Sequence, residues 1–432
     1  IAAAGGHAPT TADDPDWRRA RFADNRDELR SALSQAIGGN FKSTTRTPFV
    51  AATGDGFVSQ SSDLVFARSF RFSASFKPGK LDKPWIGELN RGRYQCVTNG
   101  TALVPTLQPP DAAKGDRFVD NVNADGPDAR KIFSVVGASP VTSDATMRPN
   151  LAVGVLDGLG TYTGTMNATP MTSATFASTT TPEAIRVSNG SCDPALSATQ
   201  CRDRYLKWLV GLDNTTVYNR CPSFASGNCN LISEIYHSIP RAVEGRPAQF
   251  LLDQSYQRFL TEQINNKRPS VLYASSNDGF LHAFKIAQVD KNDASEVMQV
   301  KTKNTNELWT MIPPAVLPNI ASLYPASHQL LLDGTPAIKE VVATADSSLP
   351  TYKFKLERSL DQARGGLGTW RTILVQSYGA QHAGYFAVDV TDPVPSSNSG
   401  PKFLWQLVTD GAGNQLFGDG GGTPLITTVY LD

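Results

Sequence analysis

The clearest alternation of apolar and polar positions in the chain lies in residues 271–284. Two runs of strand-forming residues flank Asn277-Asp278-Gly279, and alternation of this kind predicts strands. An Asp-Gly turn between two such runs is a strong short-range signal for a β-hairpin. The segment therefore predicts a hairpin of the type found in propeller blades.

A related unit returns in residues 371–390, where a glycine turn again separates two strand-forming runs. Each hairpin is followed by a short run that carries a tryptophan, at 307–310 and at 403–406. Gly-Thr-Pro then opens the next unit, at 334–336 and at 422–424, and proline at the start of a strand loses no ladder hydrogen bond. The repetition predicts successive four-stranded blades of a β-propeller.

About two and a half such units fit into the chain, whereas a closed propeller has at least about four blades. The predicted fold class is mainly β: an incomplete β-propeller of four-stranded blades, preceded by a β-rich domain with a few helices. We expect the chain to be a fragment of a larger protein, or to be completed by another chain.

In this order the blade segments resemble the C-terminal propeller of the PilC/PilY family, the type IV pilus tip-associated adhesins. Upstream, residues 230–240 resemble the segment that leads into the family's propeller, and residues 130–133 resemble a strand of the preceding domain. Residues 27–37 resemble the helix that ends the family's von Willebrand A-like domain. These matches imply three regions: the end of the von Willebrand A-like domain in 1–40, a β-rich domain with disulfide-bearing loops in 41–243, and the first propeller blades in 244–432.

The resemblance implies a non-enzymatic protein at the pilus tip, which acts as an adhesin and in pilus biogenesis, and thereby in twitching motility. It implies minor pilins as partners and a host-cell or abiotic surface as the target. It also implies export through the periplasm of a Gram-negative bacterium to the cell surface. The family's acidic calcium loop, Asp-x-Asp-x-Asp-Gly, has no match in the chain, and the Asp-x-Ser-x-Ser motif of von Willebrand A domains has none either. Neither metal site is carried over to this chain.

A quinone-dependent dehydrogenase is the alternative function, because those enzymes are propellers with similar Asp-Gly hairpins and a fold alone does not decide a function. They typically carry two adjacent, disulfide-bonded cysteines over the cofactor, and no two cysteines are adjacent here. A propeller scaffold of outer-membrane assembly is a third possibility, and it would lack the cysteine-bearing β-rich domain. The upstream matches favour the pilus family over both.

The charges of the chain balance, since 40 Lys and Arg stand against 40 Asp and Glu in 432 residues. This balance gives no indication of nucleic acid or of an anionic membrane as a partner. No run of about 18 apolar residues is present, so no transmembrane segment is predicted. The chain starts at Ile1 without an initiator Met or the basic start of a signal peptide, and we expect that a preceding segment was removed.

Four of the five cysteines form two close pairs, Cys192 with Cys201 and Cys221 with Cys229, while Cys96 stands apart. Zinc sites use thiolates about two to four residues apart, often with histidines close by, and neither pair has this spacing. Two short-range disulfides are therefore favoured over a metal site, and they indicate an oxidising compartment. Cys96 is then buried, paired with a region outside this chain, or paired in a different arrangement from the one favoured here.

Motifs that would announce an enzyme are absent from the sequence, including His-Glu-x-x-His, Gly-x-Ser-x-Gly and Gly-x-x-x-x-Gly-Lys. His282 lies in a predicted blade strand, where a packed ring with a satisfied nitrogen is the favoured interpretation. His382 lies near a glycine turn and is a candidate to face an end of the propeller and bind a ligand. Packing is favoured there as well.

The best metal candidate consists of Asn121, Asn123, Asp125 and Asp128, whose side-chain oxygens could bind calcium as in an EF-hand-like loop. The twelfth position of that loop, a bidentate Glu in an EF-hand, is Ile132. Asx-Gly runs also form plain turns, and a turn is the alternative interpretation. Calcium is the only cofactor predicted, and no organic cofactor is expected.

Helical spacing occurs in residues 22–37, which Gly38-Gly39 follow, and in residues 203–211, which end at glycine. Residues 63–76 alternate as a strand. Residues 158–182 and 222–228 are predicted to form exposed loops that contact partners. Addition of a partner strand to an exposed sheet edge is a further mode of binding, and the sequence does not indicate which edge.

Overall fold

The structure is a computed structural model, in which most of the chain after residue 69 is described. The described residues are 44–45, 70–78, 85–134, 139–140, 149–153, 195–212, 220–222, 229–243, 253–266, 268–289, 296–298, 306–323, 328–345, 352–354, 369–395, 400–410 and 414–427. The predicted helix at 22–37 and the predicted loop at 158–182 lie outside these residues, as does nearly all of the region 1–69.

The described residues are mainly β, as predicted, and none of their sheets closes on itself. The strands and α-helices are β1 (Thr44–Thr45), β2 (Phe70–Lys77), β3 (Ile86–Asn99), β4 (Ala102–Gln108), α1 (Phe118–Asp125), β5 (Ile132–Ser134), β6 (Ser139–Pro140), β7 (Pro149–Val153), α2 (Ala198–Val210), β8 (Arg241–Val243), α3 (Gln254–Asn265), β9 (Pro269–Ser276), β10 (Phe280–Val289), β11 (Glu296–Met298), β12 (Glu307–Ile312), β13 (Pro336–Ala345), β14 (Tyr352–Phe354), β15 (Thr369–Ser377), β16 (Tyr385–Asp389) and β17 (Lys402–Asp410).

The smallest sheet is antiparallel and has the order β1-β2-β3-β4. Alternate residues of β2, among them Phe70 and Phe72, are buried against α1, and the rings of Phe72 and Phe118 lie 6.2 Å apart. The strand predicted for residues 63–76 is confirmed from Phe70 onward, and 63–69 lie outside the described residues.

The second sheet has the order β5-β12-β10-β9-β8, with β11 also paired to β10. It contains the predicted hairpin of β9 and β10, in which Phe280 lies opposite Ser276. The turn is tight because Gly279 takes a φ of +97°, a conformation that glycine adopts readily. The predicted strand at 307–310 is present as part of β12, which pairs with the far side of β10.

The third sheet repeats this plan with the order β14-β13-β15-β16-β17-β7-β6. The predicted second hairpin is present as β15 and β16, and β17 carries the tryptophan of the run 403–406. β13 begins at Pro336, directly after Gly334-Thr335. The predicted strand, turn and strand order is therefore observed twice.

The second and third sheets pack face to face. Val271 and Tyr273 of β9 share one buried core with Leu374 of β15 and Phe386 of β16. Trp309 on β12 reaches across and donates a hydrogen bond from Nε1 to the Pro393 carbonyl oxygen at 2.9 Å. Full burial of a valine, leucine or phenylalanine side chain contributes about 1.5–3 kcal/mol to stability. The shared core therefore holds the two sheets together.

Strands from far upstream cover one edge of each of these sheets. β5 runs parallel to β12, where Ile132 lies opposite Thr310, and β7 runs antiparallel to β17, where Leu151 lies opposite Leu407.

Residues 130–133 were predicted as part of a strand in the preceding domain. They contribute to a strand, but that strand belongs to the second sheet. The division of the chain at 243/244 stays a prediction.

The helix predicted for residues 203–211 is confirmed as α2. It begins with a capping box between Ser197 and Gln200 and ends at Gly211, which has left-handed backbone angles; both features stabilise helix ends. Among the described helices, none is long and apolar enough to span a membrane.

A disulfide joins Cys221 to Cys229 close to this helix. Cys201 is also disulfide-bonded, and its predicted partner Cys192 lies outside the described residues. Nothing is described of the Cys96 side chain.

Replacing both Cys221 and Cys229 with alanine is expected to lower the free energy of unfolding by about 2 kcal/mol, because the bond closes a short loop and restricts the unfolded chain. The two cysteines are eight residues apart. Urea unfolding of the variant and of the wild type measures the difference. An unchanged midpoint would contradict the expectation.

Candidate interaction surface

Three side chains of the second sheet form a hydroxyl, imidazole and carboxylate series. Ser276 Oγ lies 2.8 Å from His282 Nε2, and His282 Nδ1 lies 2.9 Å from Glu307 Oε1. Serine hydrolases use this arrangement to activate the hydroxyl. Here the side chains of Ser276 and His282 are fully buried, and the Ser276 hydroxyl donates a hydrogen bond to Asp278. A substrate therefore has no approach to the hydroxyl, and the ring is packed as the sequence predicted.

Two buried arginines terminate this network. Arg130 donates to both oxygens of Glu307, from Nε at 2.8 Å and from Nη2 at 3.0 Å. Arg220 donates from Nη2 to Asp278 Oδ2 at 2.7 Å. Burial alone would raise the pKa of Glu307, but Arg130 and His282 outweigh it and lower that pKa to about 2. The carboxylate is therefore ionised and fixed, which suits a structural role.

A second set of titratable groups lies where the chain enters β8 and β13. Glu234 lies 2.8 Å from His328 Nε2, and Asp333 pairs with His237. The two acids are buried, whereas the two histidines are about one third exposed, 34% and 37%. Residues 234–237 and residues 328–333 thus each supply one histidine and one carboxylate to the other segment. We call these four side chains the histidine–carboxylate cluster.

Aromatic rings surround this cluster. The ring of Trp85 lies 4.2 Å from that of His328, and the ring of Tyr236 lies 4.2 Å from that of His237. Phe76 lies between them, stacked on Trp85 at 5.2 Å. The cluster therefore joins the smallest sheet to the ends of the two larger ones.

His382, a candidate to bind a ligand at the end of the propeller, lies in the connection between β15 and β16. Its Nε2 is buried without a hydrogen-bond partner. Burial lowers the pKa of His382, and the charge of Asp333 opposes that shift. Ligand binding by His382 stays a prediction.

Among the described residues, three exposed large apolar side chains lie together in the hairpin of β3 and β4. Residues 94–110 contain no charged side chain, and Tyr94, Val97 and Val104 are 39%, 43% and 41% exposed. Val97 and Val104 lie directly opposite each other. Among the described residues β4 pairs only with β3. An uncharged apolar surface of this kind is typical of a protein-binding site. We call residues 94–108 the exposed hairpin.

Three of the four predicted calcium ligands lie in a short helix. Asn121, Asn123 and Asp125 belong to α1, where residues two apart point to different sides. Asn121 donates to the Gly115 carbonyl oxygen, and Asn123 accepts from the Leu231 backbone amide. The side chain of Asp128 is not among those that the structure describes. In the part of the chain that the structure describes, no group of three or more His, Cys, Asp or Glu side chains is placed to hold a metal. Calcium binding stays a prediction.

Comparison with known proteins bears directly on the resemblance to pilus proteins. The type IV pilus biogenesis factor PilY1 of Pseudomonas aeruginosa strain UCBPP-PA14 is 29% identical over 189 residues, which cover 41% of this chain and 12% of that protein. Over about two fifths of its length, the chain therefore has homologues named PilY1. The PilY1 homolog of Xylella fastidiosa strain Temecula1 is 27% identical over 187 residues, which cover 42% of this chain and 12% of that protein.

The resemblance to PilC/PilY proteins predicted from the blade motifs is thus confirmed. The match spans 12% of the length of each of these PilY1 proteins, so it concerns a small part of them. No protein-family model and no solved structure matches the chain.

Proposed function

We propose that this chain takes part in type IV pilus biogenesis by binding other proteins, at the pilus tip and outside the cytoplasm. The observation that carries the proposal is its similarity to PilY1 proteins, which are named type IV pilus biogenesis factors. The proposed partners are minor pilins, and the proposed wider role is adhesion of the tip to a surface.

The two larger sheets are proposed to be neighbouring blades of a propeller. In support, β8-β9-β10-β12 and β13-β15-β16-β17 have the same antiparallel order, and the two sheets pack face to face. β8 follows Pro240 and β13 begins at Pro336. Pro424 occupies the corresponding place after the third sheet, where a third blade would begin.

A binding role is proposed in preference to catalysis. The Ser276, His282 and Glu307 series is buried, and its carboxylate is engaged by Arg130. The quinone-dependent dehydrogenase receives no support from the relatives, which are named for pilus biogenesis.

The exposed hairpin is the proposed contact surface for a pilin-like partner. It presents apolar side chains without charge, so an apolar partner surface could cover it without stripping water from an ion. Pro105 of β4 lies opposite Cys96, and a proline on an edge strand weakens continuous pairing with another strand. We therefore place the contact on the side chains of Val97 and Val104 rather than on the backbone of β4.

Replacing Val97 and Val104 together with aspartate is expected to lower the affinity for minor pilins at least tenfold, which corresponds to about 1.4 kcal/mol. The reason is that two carboxylates would have to be buried in an apolar contact. Capture of purified minor pilins by the secreted protein measures the effect.

The matched control is Val394→Asp, because Val394 has a similar exposure of 40% and lies in a loop after β16. Capture should be unchanged in this control, and thermal unfolding should show that all forms are folded. Equal capture by the wild type and the double variant would remove the hairpin from the proposed site. Failure of the wild type to capture any pilin would count against the proposed function itself.

A further inference from the structure

A polar group lies inside the interface between the second and third sheets, near the start of β9. Arg268, Glu340 and Thr372 are between 0% and 4% exposed. Arg268 Nη2 donates to Thr372 Oγ1 at 3.0 Å, and the same hydroxyl donates to Glu340 Oε1 at the long distance of 3.5 Å. The two charged side chains are therefore connected through a hydroxyl and not by a direct ion pair.

Several polar atoms of this group are buried without a hydrogen-bond partner. They are Nε and Nη1 of Arg268, Oε2 of Glu340 and the hydroxyl oxygen of Tyr273. The buried Arg130 is different, because its Nε, Nη1 and Nη2 all donate to protein acceptors. Buried polar groups in folded proteins nearly always have partners, and an unmatched group commonly marks an ordered water or ion.

The unmatched atoms belong to three groups that interact with one another. The charge of Arg268 acts on both Tyr273 and Glu340, and Thr372 contacts Arg268 and Glu340 directly. Burial raises the pKa of Tyr273 and of Glu340 and lowers that of Arg268. Burial therefore disfavours the charged form of each of the three groups.

The chemistry of the unmatched atoms limits what can bind to all of them. A guanidinium only donates, a carboxylate only accepts, and a phenol does both. A metal cation would be repelled by Arg268, an anion would be repelled by Glu340, and an apolar group would leave all four atoms unmatched. Water accepts from the first, donates to the second and does either with the third.

We propose that Arg268, Tyr273 and Glu340 form a water-binding site between the two sheets, with at least one water bridging Arg268 to Glu340. The sheets are then joined at this point by water, whereas the Trp309 contact joins them by a direct hydrogen bond. The proposal is independent of the function proposed above.

Hydroxyl-radical footprinting by X-ray radiolysis of the intact protein tests the site, because a bound water produces radicals beside the side chains that it contacts. Tyr273 and Tyr378 are both fully buried. Tyr378 is the internal control, since its hydroxyl donates to Gln406 Oε1 at 2.7 Å. We expect Tyr273 to be oxidised at least five times faster than Tyr378. Equal protection of the two tyrosines would overturn the proposal.

A high-resolution crystal structure provides the second measurement and requires no variant. The proposal expects ordered water within hydrogen-bond distance of Arg268 Nη1 and of Glu340 Oε2. A direct ion pair between these side chains with no water beside it would overturn the proposal.

Discussion

Replacing Arg130 with methionine is expected to lower the free energy of unfolding at pH 7 by about 3–5 kcal/mol, the usual cost of removing one partner of a buried ion pair. The Arg130 and Glu307 side chains are 2% and 5% exposed. Methionine retains much of the apolar volume but leaves the Glu307 carboxylate buried without its main counter-charge. The substitution also removes the hydrogen bond from Arg130 to the Leu231 carbonyl oxygen.

The same variant should have a different dependence on pH. Glu307 has a pKa of about 2 in the folded protein, compared with an ordinary value of 4.5. A lowered pKa in the folded state means stability that is fully present above about pH 4.5 and is lost as the pH falls towards about 2; this shift is worth about 3 kcal/mol. Without Arg130 the lowering is reduced, so stability should fall less steeply over this range.

Denaturant unfolding at pH 7 and at pH 3 measures both effects. Arg117→Met is the matched control, because Arg117 pairs with Asp120 at the surface, where the two side chains are 52% and 62% exposed. A surface pair of this kind contributes at most about 1 kcal/mol. Equal losses in the two variants, or a difference from the wild type that does not shrink at pH 3, would contradict the role assigned to Arg130.

Replacing Gly379 with alanine is expected to cost about 3 kcal/mol, from backbone strain and overpacking together. Gly379 has a φ of +111°, and an added Cβ would overlap the Asp333 carboxylate. That carboxylate is held by His237 and by the Ala380 backbone amide at 2.8 Å. It therefore has little freedom to move away.

Gly100→Ala is the matched control for this substitution. Gly100 also has a positive φ, +65°, but nothing lies within 4 Å of an added Cβ. Only the left-handed backbone penalty of about 1–2 kcal/mol applies there. Thermal unfolding of the two variants compares the costs, and a larger loss for Gly100→Ala would show that the contact with Asp333 is unimportant.

The elements that the sequence predicted well are those fixed by neighbouring residues. The hairpin at 271–284 depends on its own turn, and α2 depends on its cap at Gly211. The exposed hairpin has an equally local signal, Asn99-Gly100 between two apolar runs, and this signal would have revealed it. The helix at 118–125 was not predicted, because an Asx-rich run has the same composition in a turn and in a short helix such as α1.

The remaining features depend on partners that are remote in sequence. β5 is three residues long, too short for a periodic pattern, and its place in the second sheet is set by β12. Arg130 and Glu307 are 177 positions apart, so neither residue indicates the other. The proposed water site likewise depends on Arg268, which precedes β9, and on Glu340 of β13. Interactions between neighbouring residues predict strands and turns, but they do not predict which strands pair in a sheet.

The strands that cover the two sheet edges also have a consequence for the order in which the molecule folds. Ser134 and Ile312, which are hydrogen-bonded, are 178 residues apart in sequence. Contacts of such long range slow folding, because the chain loses entropy on loop closure before the contacts form and stabilise it. During synthesis β5 and β7 emerge long before β12 and β17. They must wait without their partners, so completion of the sheet edges is expected to be a late step in folding.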